Sequence, residues 1–279
     1  MQNQPDTIPV AAIQMASGPN VAANLSEAGR LIAEAASCGA RLAVLPENFA
    51  LMGMSEADKL AVAEEDGRGP LQAFLSEQAA RHCIWLVGGT IPVASEDPGR
   101  VFGACLLFND RGEREARYDK IHLFDVRLPD EGESYHESET TAPGDRTVVV
   151  NTPFGRLGIA VCYDLRFPEQ FRDMLDQGME LLALPAAFTA ITGRAHWEAL
   201  IRARAIENQI YLIAAAQGGF HVNGRETHGD SMVVDPWGHI LGRLPKGAGV
   251  VSAPLSPEHL ASIRRSFPTL AHRRIPDGR

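Results

Sequence analysis

Cys162 has the setting that most suggests chemistry. It follows the apolar run 157–161 and precedes Tyr163-Asp164-Leu165-Arg166-Phe167-Pro168-Glu169, in which Pro168 suits the first turn of a helix. A thiol at a strand-to-helix turn sits at the carboxyl edge of a sheet, where backbone N–H groups stabilise a thiolate or a nascent oxyanion. A lone cysteine is more often a buried structural thiol, the reading given to Cys38 and Cys105. Two further segments shift the balance. Leu45-Pro46-Glu47-Asn48 sets a carboxylate just past the apolar run 42–45, and Tyr118-Asp119-Lys120-Ile121-His122 sets an ammonium at the entry to a polar stretch. Each charge alone reads as solvated surface. Together, a thiol nucleophile, a carboxylate base and a cation for a tetrahedral oxyanion form a complete set for acyl transfer.

Apolar runs bounded by Gly, Pro and Asp alternate with helical periodicity, which marks an α/β chain able to hold such groups at strand ends. Strands are predicted at 8–15, 42–45, 84–90, 101–109 and 113–118, with one helix from an Asn20 cap to Gly39 and another over 70–81. Periodicity fails from 118 to 145, across Pro129, Gly132, Pro143 and Gly144, and this reads as a long loop, functional or disordered. Strands resume at 147–151, 155–161, 181–184, 211–216, 231–234, 239–243 and 250–253, with helices at 168–177, at 194–208 and from a Ser256 cap to 266. The late strands alternate as hairpins, which favours a layered sandwich over a purely doubly wound sheet. No linker composition or repeat divides the chain, so 1–279 reads as a single domain with its core over about 8–255 and a C-terminal helix and tail over 256–279. Gly88-Gly89 and Gly218-Gly219 read as strand-end turns, and Trp197 and Trp237 as core or interface packing.

The 279 residues are 45% hydrophobic and 22% charged, enough to bury a core. Lys plus Arg total 26 against 35 Asp plus Glu, a net charge of −9, which argues against nucleic acid as the main partner. The Arg264-Arg265 and Arg273-Arg274 pairs read as solvated or dimer-contacting. Four cysteines without a C-x-x-C suit a reducing compartment. Residues 1–9 lack a targeting pattern and no run approaches 18 apolar residues, so a cytoplasmic protein without a membrane span is expected. His136-Glu137 has no second histidine at zinc spacing and the nine histidines are scattered, so no metal site is expected. Dinucleotide, phosphate-loop, serine-esterase and zinc-protease motifs are absent.

The segments Leu45 to Asn48, Tyr118 to Asp125 (Tyr-Asp-Lys-Ile-His-Leu-Phe-Asp) and Val161 to Glu169 resemble, in order, the three signatures of the nitrilase superfamily of carbon–nitrogen hydrolases. The resemblance runs from Ile8 to about Arg274. It implies Glu47 as general base, Lys120 as oxyanion stabiliser and Cys162 as nucleophile. A second family glutamate matches Glu137, which would position Lys120 and the attacking water; Glu131, Glu133 and Glu139 share its loop. The resemblance also implies an α-β-β-α sandwich, pairing through its helices into a four-layer homodimer, and chemistry with no cofactor.

Within the superfamily, Phe188 to Glu198, Arg202 to Asn208, Ala214 to Gln217 and Ser231 to Gly238 are most similar to the deaminated-glutathione amidase branch. That branch implies hydrolysis of a small carboxylate-bearing amide, deaminated glutathione, to 2-oxoglutarate and Cys-Gly. The neighbouring alternatives are an ω-amidase acting on α-ketoglutaramate and an N-carbamoyl amino acid amidohydrolase. Substrate contacts are expected from the Tyr163 backbone, Arg166, Thr189 and Thr192. Arg166 either meets a substrate carboxylate or pairs with Asp164 or Glu169 as scaffold. Arg194 stands where related sequences commonly carry proline, and either alters the pocket wall or faces solvent. An inactive interaction scaffold is the non-enzymatic alternative; the intact Glu47, Lys120 and Cys162 argue against it.

Overall fold

Strand β1 (Ile8–Gln14) is buried on both faces, with Val10 and Ala12 in one hydrophobic cluster and Ala11 and Ile13 in another. A strand covered on both sides must lie inside a layered architecture. The computed structural model, which describes residues 7–127 and 134–275, shows those layers. After β1 come α1 (Val21–Ser37), β2 (Leu42–Val44), the short α2 (Asp58–Ala61), α3 (Pro70–His82), β3 (Trp85–Val87), β4 (Ile91–Ala94), β5 (Val101–Phe108) and β6 (Arg114–Asp119). The antiparallel pair β7 (Asp125–Arg127) and β8 (Ser134–His136), a 3-10 turn at Glu137–Glu139 and β9 (Thr141–Ala142) lead to β10 (Val148–Thr152) and β11 (Gly155–Ile159). A 3-10 helix (Cys162–Arg166), α4 (Pro168–Asp176), β12 (Leu181–Ala186), α5 (Ala190–Asn208) and β13 (Tyr211–Ala216) follow. The chain then forms β14 (Gly218–Phe220), β15 (Glu226–His228), β16 (Ser231–Val234), β17 (Ile240–Leu244), β18 (Gly249–Leu255) and α6 (Pro257–Ser266).

One sheet has the order β18-β1-β2-β3-β5-β4, with β6 and β9 also paired to β5; the other has the order β10-β11-β12-β13-β16-β17. Each is built on three parallel strands, β1-β2-β3 and β11-β12-β13, flanked by antiparallel ones. Helices α1 and α3 cover the first sheet, with Leu31, Ile32, Leu71 and Leu75 against Ala11, Ile13 and Leu45. Helices α4 and α5 cover the second with Phe171, Met174, Trp197 and Ile201. Between the sheets, β1 and β2 lie on β12, β13 and β16. The result is the expected α-β-β-α sandwich. β18 leaves β17 to pair antiparallel with β1 along its whole length, which ties the two sheets together. No helix among the described residues is long and apolar enough to cross a membrane.

Several expectations need correction. The stretch 118–145 is not a structureless loop: β6 runs to Asp119, and β7, β8 and β9 lie within it. Their two or three residues are too few to show a period. Pro129, Gly132, Glu131 and Glu133 lie outside the described residues. The predicted strand 84–90 is shorter, β3 ending at Val87 before Gly88-Gly89, with an unpredicted β4 following it, and α5 begins at Ala190 because Thr189 caps it. Gly218-Gly219 opens β14 rather than forming a turn. Cys38 is exposed, not buried, since it is the C-cap residue just past α1; Cys105 is buried as expected. Arg264 is half-buried and donates to the carbonyls of Gln209 (3.1 Å) and Met179 (2.9 Å), so its role is structural.

Candidate active site

The carboxyl ends of the two parallel trios meet at one edge of the sandwich, and each delivers a reactive side chain. Glu47 follows β2 on a tight turn in which Asn48 adopts a left-handed conformation (φ 56°) and donates its N–H to Thr90 Oγ1 at 2.9 Å. Gly89 makes that turn possible: at φ 57°, a Cβ there would lie 2.1 Å from the Pro46 carbonyl oxygen. From the other sheet, Gln217 donates to the Glu47 carbonyl (3.0 Å) and to Ser17 Oγ (2.8 Å), fixing the backbone of Glu47 across the sandwich.

Lys120 directly follows β6, its N–H donating to the Gly103 carbonyl at 3.1 Å and its own carbonyl accepting from Gly144 at 2.9 Å. A Cβ on Gly144 would lie 2.1 Å from the Asp119 carbonyl oxygen, so only glycine allows this approach. Cys162 opens the 3-10 helix after β11 in a left-handed conformation (φ 49°), a strained turn that projects its side chain from the sheet edge. Asp164, fully buried, ties the two segments together. Its carboxylate accepts from Val161 N–H (2.8 Å), Tyr118 Oη (2.6 Å), His122 N–H (3.0 Å) and His122 Nδ1 (2.8 Å).

These elements bring Glu47, Lys120, Glu137 and Cys162 into one buried cluster. Lys120 Nζ donates to Glu47 Oε1 at 2.8 Å and to both carboxylate oxygens of Glu137, at 3.0 and 2.8 Å. Glu137 is held in turn by the Phe124 N–H at 2.7 Å. Burial alone would push the Lys120 ammonium down, but Glu137 and Glu47, with Cys162 nearby, outweigh it and hold the pKa well above its ordinary value. Burial raises the Glu137 carboxyl, and the charges of Lys120 and Lys59 more than reverse this, leaving it below the usual carboxylate range. Burial and the Glu47 carboxylate push the Cys162 thiol well up, against the smaller opposing pull of Lys120 and the Ala187 N–H. The shift favours the thiol over the thiolate beside that carboxylate. Such a thiol needs a base within reach to become a nucleophile, and Glu47 occupies that place.

Cys162 opens into a slot lined also by Tyr163, Arg166, Phe188, Thr189 and Thr192. The slot thus gathers all four expected substrate contacts. Phe124, Tyr135, Tyr163 and Phe167 form an aromatic wall with neighbouring centroids 5.0–5.3 Å apart, and the His122 ring stacks on Phe167 at 3.7 Å. Arg166 lies over Tyr163 and Phe188 and approaches His196 Nδ1 at 3.1 Å; it pairs with neither Asp164 nor Glu169, so the scaffold reading fails. Thr189 caps α5 by accepting from Thr192 N–H (3.3 Å), and the two hydroxyls lie 2.8 Å apart. Arg194 is exposed and outside the slot. A second, wider cavity of about 520 Å³ adjoins the slot, and Glu47, Lys120 and Glu137 line both. Lys59, Asp164, Gln217 and Arg225 were not among the expected site residues: Lys59, Gln217 and Arg225 lie outside the three segments, and Asp164, though next to Cys162, shows its role only through contacts with the distant Tyr118 and His122. Among the described residues no group of three or more His, Cys, Asp or Glu could hold a metal ion.

The family model for carbon-nitrogen hydrolases matches residues 9–265. This chain belongs to the carbon–nitrogen hydrolase family. As a member it is a hydrolase acting on carbon–nitrogen bonds other than peptide bonds. It is 44% identical over 267 residues to a deaminated glutathione amidase of Yersinia enterocolitica, covering 95% of this chain and 93% of that one. Among solved structures it is similar to Nit3 of Saccharomyces cerevisiae, a member of branch 10 of the nitrilase superfamily, with a TM-score of 0.87, 33% identity, and coverage of 96% of this chain and 97% of that one. It is also similar to the NitFhit protein of C. elegans, with a TM-score of 0.88 and 35% identity. That match covers 96% of this chain, which spans 65% of the longer NitFhit chain.

Proposed function

We propose that this hydrolase is a cofactor-free cysteine amidase that cleaves deaminated glutathione to 2-oxoglutarate and Cys-Gly. The observation that carries the reading is the convergence of Glu47 and Lys120 from one sheet with Cys162 from the other at a single slot. Because one site needs both halves of the chain, the whole chain is one catalytic unit. Glu47 takes the Cys162 proton as sulfur attacks the amide carbonyl, and Lys120 with the first-turn N–H of Tyr163 stabilises the oxyanion. Once protonated, Glu47 releases its hold on Lys120 Nζ, which frees one N–H for that oxyanion. Glu47 then gives its proton to the departing amine as the carbon–nitrogen bond breaks. The resulting thioester is hydrolysed by a water whose proton goes to Glu47 and then back to sulfur. Glu137 keeps Lys120 charged and aimed throughout.

The substrate assignment rests on the amidase relative and on the slot's chemistry. Arg166 sits in the slot half-buried, without a carboxylate partner among the described residues, and supplies the cation that a 2-oxoglutaryl carboxylate requires. The exposed apolar side chains of Ile206, Trp237 and Phe267 beside α5 and α6 support pairing of two copies through the helical layer. The unpaired, exposed Cys38 and Cys83 suit the reducing cytoplasm. The test is kcat/KM for deaminated glutathione against α-ketoglutaramate. A ratio above one is expected; a ratio well below one makes the chain an ω-amidase, and full activity in Cys162→Ala ends the cysteine mechanism.

A further inference from the structure

The slot and the wider cavity share Glu47, Lys120 and Glu137, whereas Cys162, Phe188, Thr189 and Thr192 line only the slot. Met52, Met54 and Asn223 line only the wider cavity. A bond broken between the two therefore leaves its halves on opposite sides. The acyl half becomes bonded to Cys162 and stays in the slot, so the amine half must leave from the wider cavity. At about 520 Å³ that cavity far exceeds the space needed by ammonia, a molecule close to water in size.

Arg225 stands where the two spaces join, on the connection between β14 and β15. Its Nη2 donates to the Ala187 carbonyl at 3.0 Å, and its guanidinium lies 4.9 Å from the Tyr135 ring centre. Its Nε is buried without an acceptor, and no carboxylate among the described residues pairs with it. A buried, unaccepted donor on a charged group is costly unless a ligand supplies the acceptor. The acceptor whose shape matches a guanidinium is a carboxylate. Lys59 also lines both spaces and meets the nearby Glu56 at 2.6 Å, which neutralises the acid that would otherwise repel such a ligand.

We infer that Arg225 binds a carboxylate on the leaving amine, so that the wider cavity is a subsite for an amino-acid or dipeptide leaving group. This rests on the amidase reading above and adds the half of the substrate that the slot does not hold. Three substrates with the same 2-oxoglutaryl group test it: deaminated glutathione, the same compound with its glycine carboxylate converted to an amide, and α-ketoglutaramate. In the wild type, amidating the glycine carboxylate is expected to lower kcat/KM roughly tenfold or more, the worth of one charged hydrogen bond. Arg225→Gln is expected to lower kcat/KM for deaminated glutathione by a similar factor relative to α-ketoglutaramate, and to treat the acid and the amide alike. Arg225→Lys should restore part of the discrimination. Equal losses on all three substrates mean that Arg225 only supports the Ala187 wall, and overturn the inference. So does a wild type that hydrolyses acid and amide equally well, whatever the variants do. A wild type that hydrolyses α-ketoglutaramate in strong preference removes the subsite while leaving the amidase mechanism intact; hydrolysis of none of the three removes both.

Discussion

Asp164→Asn tests whether the segment before Cys162 and the segment around Lys120 are coupled through one buried carboxylate. Asp164 accepts four hydrogen bonds at 2.6–3.0 Å, from Val161 and from Tyr118 and His122 on either side of Lys120. An asparagine keeps one oxygen as a weaker acceptor, but its NH₂ must face either Val161 N–H and Tyr118 or the two His122 donors. The loss is one charge-assisted bond, about 1.5–3 kcal/mol, plus a buried donor left without an acceptor, about 1–3 kcal/mol. A total of about 2.5–6 kcal/mol should lower the Tm by about 5 °C or more in a chain of this size. Because the lost contacts flank both reactive groups, kcat should also fall by about tenfold or more. Thermal unfolding followed by circular dichroism, with steady-state kinetics on the same preparation, measures both. A Tm within about 2 °C of wild type together with kcat within twofold would refute the coupling, since the energy assigned to the cluster would then be absent.

Lys120→Met should abolish turnover and cost about 3–5 kcal/mol at pH 7, since Glu47 and Glu137 are left buried without their cation. In the wild type Lys120 lowers the Glu137 pKa, so that stabilisation is present above the ordinary carboxylate value of 4.5 and fades as pH falls; in the variant the sign reverses, and denaturation at pH 5 should show a smaller deficit than at pH 7. His221, buried between Ser17 O and Thr227 Oγ1 at 2.7 Å each, has its pKa lowered chiefly by burial. Its contribution is therefore present above the ordinary imidazole value of 6.5 and lost below it, so wild-type stability should fall from pH 7 towards 5 by up to about 1.4 kcal/mol per unit, and His221→Gln should flatten that slope. Gly89→Ala drives a methyl into the Pro46 carbonyl at a positive φ and should cost about 2 kcal/mol or more, with kcat falling more than KM rises because Glu47 is displaced; a variant with wild-type Tm and kcat would contradict this.

The sandwich and the principal reactive groups were legible because their signals are local. Glu47 and Cys162 each follow an apolar run, and a side chain just past a buried strand has few places to go but the sheet edge; Lys120 follows the mostly polar β6 and was legible through its motif. Glu137 was legible only through resemblance, because four glutamates share its stretch and only a three-dimensional contact with Lys120 separates it from Glu139. The boundaries that failed did so for physical reasons. β7, β8 and β9 are shorter than one informative period, and Gly193 inside the first turns of α5 masked a helix that Thr189 starts. The partners that hold the site in place, Gln217 on the Glu47 backbone and Asp164 between Tyr118 and Val161, bridge 46 to 170 positions of sequence or join separate segments. No periodicity reports a contact at that range. The raised pKa of Cys162 was equally hidden, since it follows from burial beside a carboxylate rather than from residue type.

The central claim is that Cys162 carries the acyl group. Rapid acid quench of the wild type during turnover of deaminated glutathione, followed by peptide mass spectrometry, should find one 2-oxoglutaryl group on the peptide containing Cys162 and none on those containing Cys38, Cys83 or Cys105. Cys162→Ala should show neither the adduct nor turnover. Turnover in that variant, or an acyl group on a different residue of the wild type, would contradict the account.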